Sequence, residues 1–177
     1  MLYKIWKSKE IHKFTKLRVY EVLVLSVILY NAETWTLKES SKRRLRVFEM
    51  ACLRTIEGVT KRDKIRNTEI RSRLGCTNDI IHRIQQRRLR YFGHISRMAN
   101  CMYHHHHHHY PKIAMEVYVH GQCSKGRPKR RWIDGLKEDC DLLNLTIQDA
   151  GSTAQDRRTW RGLVKELPLR ATASPRH

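Results

Sequence analysis

Apolar residues recur at steps of three and four over several separate stretches of the chain, the period of a helix that turns one face to a core. Leu2 to Lys9 is basic and aromatic, and a long apolar segment follows from Leu17 to Trp35. Its centre, Val22-Leu-Val-Leu-Ser-Val-Ile-Leu-Tyr30, is shorter than the roughly 20 residues that a bilayer demands, and Arg18, Glu21, Asn31 and Glu33 bound it. No small-residue cleavage site follows, so the segment reads as a helix buried in a core, not as a leader or an anchor. Thr36-Leu-Lys-Glu39 has the form of a capping box and predicts the start of a second helix. Leu45, Phe48, Cys52, Leu53 and Ile56 keep helical spacing along it, and Gly58 predicts its end. A short helix from Asn67 to Leu74 ends at Gly75, and Thr77-Asn-Asp79 opens the next one.

In that next helix Arg83, Arg87, Arg90, His94 and Arg97 stack into one stripe, while Ile84, Tyr91, Ile95 and Met98 form an apolar face beside it. No acidic residue interrupts the run from Arg83 to Met98. A row of guanidinium groups without internal partners repels itself unless an external polyanion neutralises it, so the stripe reads as a phosphate-facing surface rather than a merely solvated one. After Met98 the helical period stops. Ile113 to His120 alternates in part and predicts a short strand leading to a turn at Gly121. Trp132, Leu136, Cys140 and Leu143 mark another amphipathic helix, with Asp134, Glu138, Asp139 and Asp141 expected on its solvated side. Capping boxes at Thr146-Ile-Gln-Asp149 and Thr153-Ala-Gln-Asp156 predict two more short helices. The second sends Trp160, Leu163, Val164 and Leu167 inward, with Arg157, Arg161 and Lys165 on another face. The whole is mainly α: a helical bundle, a basic helix, a short strand or hairpin and a small C-terminal helical segment. The expected segments are 1–62, 63–100, 101–131 and 132–167, with 168–177 a disordered tail.

Charge changes this picture from a fold into a class of partner. Thirty-six Lys and Arg stand against 17 Asp and Glu, a formal net charge of +19, and the sequence pI is about 10.2. Such an excess points to nucleic acid ahead of an anionic membrane surface. Lys42, Arg43 and Arg44 load the first turns of the second helix with positive charge, which opposes the macrodipole and would be offset by a bound anion. Around the basic helix Arg88 joins the cations of the stripe. In Ser124-Lys-Gly-Arg-Pro-Lys-Arg-Arg-Trp132, Pro128 forbids a regular helix and splays Lys125, Arg127, Lys129, Arg130 and Arg131 along an extended arm. Gly126-Arg-Pro128 resembles the core of an AT-hook, although a solvated basic loop or a nuclear import signal explains the same letters. Cys52, Cys76, Cys101, Cys123 and Cys140 are widely scattered with no C-x-x-C, which indicates reduced thiols and not a secreted framework. The run His104, His105, His106, His107, His108 and His109 reads as a loop expansion or an inserted tag. Its affinity for metal is adventitious, because functional sites draw ligands from spaced positions.

Four stretches in series resemble one family. Leu23-Val-Leu-Ser-Val-Ile-Leu-Tyr-Asn-Ala-Glu-Thr-Trp-Thr-Leu37, Arg87-Arg-Leu-Arg-Tyr-Phe-Gly-His-Ile-Ser-Arg-Met98, Lys125-Gly-Arg-Pro-Lys-Arg-Arg-Trp-Ile-Asp134 and Ala154-Gln-Asp-Arg-Arg-Thr-Trp-Arg-Gly-Leu-Val164 look like the C-terminal region of non-LTR (LINE-type) retrotransposon reverse transcriptases. The resemblance implies that residues from about 10 to 60 correspond to a polymerase thumb, which grips template and primer, and that the rest is the region after it. Asn31 stands where the family usually has glycine, and the histidine run is not a family feature.

Nucleotide transfer by these polymerases needs paired aspartates that hold two metal ions, and the sequence contains no aromatic-x-Asp-Asp motif. It also lacks a phosphate-cradling glycine loop, an endonuclease constellation and a Cys-Cys-His-Cys knuckle. The expectation is a truncated product or fragment that holds RNA or DNA through its basic helix and arm. As an isolated chain it is expected to be no enzyme and to need no cofactor, membrane or small-molecule substrate. Its expected place is a nuclear or cytoplasmic ribonucleoprotein, not a secreted one. A self-standing AT-hook-like DNA-binding protein, or a retrotransposon relic without function, would share these features.

Overall fold

The computed structural model describes residues 2–76, 78–98, 111–112 and 130–168. Every regular element among them is helical, in accord with the steps of three and four between apolar positions. The expected strand at 113–120, the histidine run, the arm residues Lys125, Arg127 and Lys129, and the tail from Leu169 onward lie outside the described residues. The chain divides into two compact units, one of residues 1–32 and 37–84, the other of residues 33–36 and 85–177.

In the first unit, α1 (Leu2–Lys7) and α2 (Lys13–Val19) precede a π-helical turn (Tyr20–Leu25) and a last helical turn, α3 (Ser26–Ile28). The apolar run that the sequence places wholly in a core is buried along one side alone. Tyr20, Leu25 and Leu29 are at most 5% exposed, whereas Val22, Leu23, Val27 and Tyr30 are 51% to 80% exposed. A neighbouring helix covers one side of such a segment, and an unbroken apolar run carries no period to show which side that is. From the start of α3 the Ser26 hydroxyl donates back to the Val22 carbonyl of the π turn at 2.5 Å. Asn31 then takes the left-handed conformation, φ 54. Asparagine tolerates this region better than most other residues with a side chain.

The long helix α4 (Glu39–Glu57) is entered from Lys38, and no side chain caps it. The expected capping box at Thr36 is therefore corrected: the threonine lies before the entering residue, too early for its hydroxyl to meet the free amides. Glu39 instead accepts from Lys42 Nζ at 2.5 Å. Met50, Cys52, Leu53 and Ile56 are buried, while Phe48 is 42% exposed. Gly58 terminates α4 in the left-handed region, its N–H donating to the Arg54 carbonyl at 2.9 Å. α5 (Asn67–Arg73) follows and buries Ile70 fully. The buried carboxylate of Glu49 accepts from Arg71 Nη2 at 2.5 Å and from the Ile80 N–H at 3.2 Å. One acid thereby ties α4 to α5 and to the first residue of α6 (Ile80–Ser96). Asp79 caps α6, accepting from the His82 N–H at 2.7 Å and from Arg46 Nε at 3.2 Å.

The second unit packs the Gln85–Ser96 part of α6 with α7 (Trp132–Asp141), α8 (Ile147–Thr153) and α9 (Arg157–Lys165). Its core joins Leu89, Phe92, Leu136, Cys140, Trp160 and Val164, with Ala150 and Ala154 filling the close approaches. Thr146 caps α8 as its motif implies, accepting from the Asp149 N–H at 3.2 Å. The cap of α9 is Asp156, which accepts from the Arg158 N–H at 2.9 Å, and not Thr153. Thr153 still belongs to α8, so the second expected capping box is displaced by three residues. Trp160 lies 5.9 Å from Phe92, centroid to centroid, and its indole Nε1 donates to the Leu89 carbonyl at 3.0 Å. A side chain at Gly93 would fall on that indole. Among the described residues, no helix is long and apolar enough to cross a membrane.

Candidate nucleic-acid interface

The basic stripe on α6 is shared between structure and surface. Arg83 Nη2 lies 3.0 Å from Glu21 Oε1 and is about one-third exposed. Arg97 Nη1 donates to the Ala154 carbonyl at 2.6 Å. In both cases the acceptor comes from a residue more than 50 positions away, which the period of one helix does not show. Arg87 is half-buried, and Arg90 and His94 are exposed. On the apolar side Ile84 and Ile95 are buried as expected, Tyr91 and Met98 are half-buried, and Leu89 and Phe92 join the core. Tyr91 meets Trp132 edge to face at 6.3 Å.

Arg88 lies on the buried arc of α6, 4% exposed. Its Nε and Nη2 approach Asp139 Oδ2 at 2.6 and 2.5 Å, and Gln85 Nε2 donates to Asp139 Oδ1 at 2.9 Å. Arg88 Nη1 also reaches the Trp35 carbonyl at 3.5 Å. Gly135 makes room for this group, since a Cβ there would stand 2.8 Å from Nη1. Asp139, expected on the solvated side of α7, is instead fully buried. Burial pushes its carboxyl above the usual carboxylate range, opposed by the Arg88 charge and by hydrogen bonds from Gln85 and Arg88. Arg88 is thus a core cation with a dedicated acid.

The other proposed contacts separate in the same way. Lys42 is 7% exposed and paired with Glu39, while Arg43 and Arg44 are exposed on α4. Arg130 pairs with Glu138 at 2.6 Å, and Arg131 is 76% exposed on its side chain. Exposed cations outside the expected set include Lys61, Arg62, Lys64 and Arg66 in the loop after α4, and Arg158 beside Arg157, Arg161 and Lys165 on α9. The loop is pinned by Asp63, which accepts from the Thr60 N–H at 2.6 Å and its hydroxyl at 3.0 Å. These hydrogen bonds hold the Asp63 carboxyl below its usual range.

No family model matches the chain, and no solved structure matches it. The chain is similar to a transposon-derived protein. F52C9.6 of Caenorhabditis elegans, named as transposon-derived, is 21% identical over 159 residues, 86% of this chain. The match covers 55% of that protein, so the chain spans about half the length of its relative. This likeness supports an origin in a transposon and agrees with the mobile-element character of the four motifs.

Two residues that organise the fold escaped the sequence reading, Glu49 and Asp139. Asp139 had a local signal: Gly135 lies one turn before it on α7, and a glycine and an acid on one helical face leave space for a large cation. Glu49 had none, because its partners arrive from positions 71 and 80.

Proposed function

We propose that the chain is a nucleic-acid-binding part of a retrotransposon reverse transcriptase, corresponding to the thumb and the region after it. It holds RNA or a primer–template hybrid and does not itself transfer nucleotides. One observation carries the reading: even if each of the 17 acidic residues neutralised one cation, 19 of the 36 Lys and Arg would remain without an internal counter-charge. The motifs quoted above give that excess its context, as does the likeness to a transposon-derived protein. The exposed cations of α4 and the loop after α4 are the groups available to phosphate, in place of Arg88 and Lys42. A nuclear or cytoplasmic ribonucleoprotein is the setting that fits such a chain.

Fluorescence anisotropy with an RNA hairpin, a primer–template hybrid and an AT-rich duplex tests the reading. The expected result is preference for the hairpin or hybrid, with log K falling linearly against log salt. No binding to any of the three at 0.1 M salt would sink it, and preference for the AT-rich duplex would favour an AT-hook-like protein instead.

A further inference from the structure

Val47, Met50 and Ala51 on α4 floor an open pocket of about 300 Å³, and cations wall it with no carboxylate among its lining residues. Two of those cations are committed within the unit. Arg46 Nε faces Asp79 at 3.2 Å, and Arg54 Nη2 donates to Asn67 Oδ1 at 2.6 Å. The side chains of the other two, Arg43 and Lys61, are exposed and make no hydrogen bond or ion pair among the described residues. The floor is apolar, and its most exposed large side chain, Val47, is 56% exposed. An apolar surface of this kind favours a flat, weakly hydrated face, and a methionine thioether makes favourable contact with aromatic rings. Two uncommitted cations at the rim favour an anion at the edge of that face.

We infer that this pocket takes one unpaired nucleotide of a single strand, its base on the Val47–Met50–Ala51 floor and its phosphate between Arg43 and Lys61. The inference rests on the nucleic-acid reading above and narrows it to a strand whose bases are free. A duplex stacks its bases inside and offers the floor nothing, whereas a single strand offers a base and a phosphate together. A free nucleotide has the same chemistry, so the two sources must be separated by experiment.

The test uses the full chain in anisotropy titrations with short single-stranded RNA, the same strand with abasic sites, and a blunt duplex. Arg43→Gln/Lys61→Gln is compared with Arg157→Gln/Arg161→Gln, which removes equal charge from the exposed face of α9. All four side chains are exposed, so folding should persist, and a circular-dichroism melt verifies it. The pocket pair should weaken the intact strand by about tenfold or more, as expected for lost charge-assisted contacts. It should also flatten the salt slope by about 0.7 units, the value for the one phosphate contact that is lost. The duplex should respond no more to the pocket pair than to the α9 pair. Abasic RNA should bind the wild type several-fold more weakly than intact RNA, and that difference should vanish in the pocket pair. Equal effects of the two pairs on the intact strand, or no abasic effect in the wild type, would overturn the inference while leaving the broader reading in place. Displacement of the strand by micromolar adenosine monophosphate would overturn the strand as occupant in favour of free nucleotide. Absence of all nucleic-acid binding by the wild type would overturn the broader reading and this one together.

Discussion

Asp139 is a residue whose ionisation serves a partner 51 positions away in sequence. Removing one member of a buried ion pair leaves the other charged and unsolvated, which costs about 3–5 kcal/mol, whereas replacing both by apolar side chains of similar volume is often neutral. Asp139→Ala should therefore lose stability on that scale in urea unfolding, and Arg88→Met/Asp139→Leu should recover most of it. A single variant within 1 kcal/mol of wild type would show that the pair is not formed in solution. The double variant carries a second reading. Because Arg88 is buried, its loss should leave nucleic-acid affinity nearly unchanged, unlike loss of an exposed arginine.

Helix starts and stops show which local signals the sequence states openly. Asp79 accepts from two donors at the head of α6, while Thr36 lies ahead of the entering residue of α4. Asp79→Ala should cost about 1 kcal/mol, the usual value of a cap, and Thr36→Ala almost nothing. Equal losses in thermal melts would restore Thr36 as a cap. The ends at Gly58 and Gly75, the Thr146 cap and the apolar core positions of α7 and α9 were legible, because each depends on residues within one turn of each other. The π turn at Tyr20–Leu25 was not, since its apolar sequence suits an α-helix equally well. The positive charge of these helices was legible, but not which cations are buried or engaged within the fold. Charge type can be read from any position, but Arg88 and Lys42 are buried and Arg83 and Arg97 are engaged through partners that the spacing of one helix does not reveal. Lys42 is the instructive case, because its partner Glu39 is only three residues away and was assigned to a capping box instead.

For the molecule as a whole, an excess of 19 positive charges opposes its own compaction. Added salt screens that repulsion, with a Debye length of about 10 Å at 0.1 M and 3 Å at 1 M. The melting temperature should accordingly rise between 0.1 and 1 M sodium chloride, by roughly 2–4 °C for each kcal/mol gained in a chain of this size. Nucleic-acid affinity should fall over the same range, because counterion release is lost. Stability and binding would then move in opposite directions with one variable. A melting temperature that falls with salt would mean that internal ion pairs outweigh the net repulsion.

The meeting of Trp160 with the backbone beside Gly93 has a consequence for descent. The indole occupies the space that any side chain at position 93 would need, and its N–H is held by the carbonyl of Leu89. Neither position can drift alone: an alanine at 93 evicts the indole, and a small residue at 160 leaves a gap beside a glycine with no reason to remain. In diverging relatives of this chain the two sites should be inherited as a couple. The Gly93–Trp160 couple would then identify descendants of this fold after the surface cations around it have changed beyond recognition.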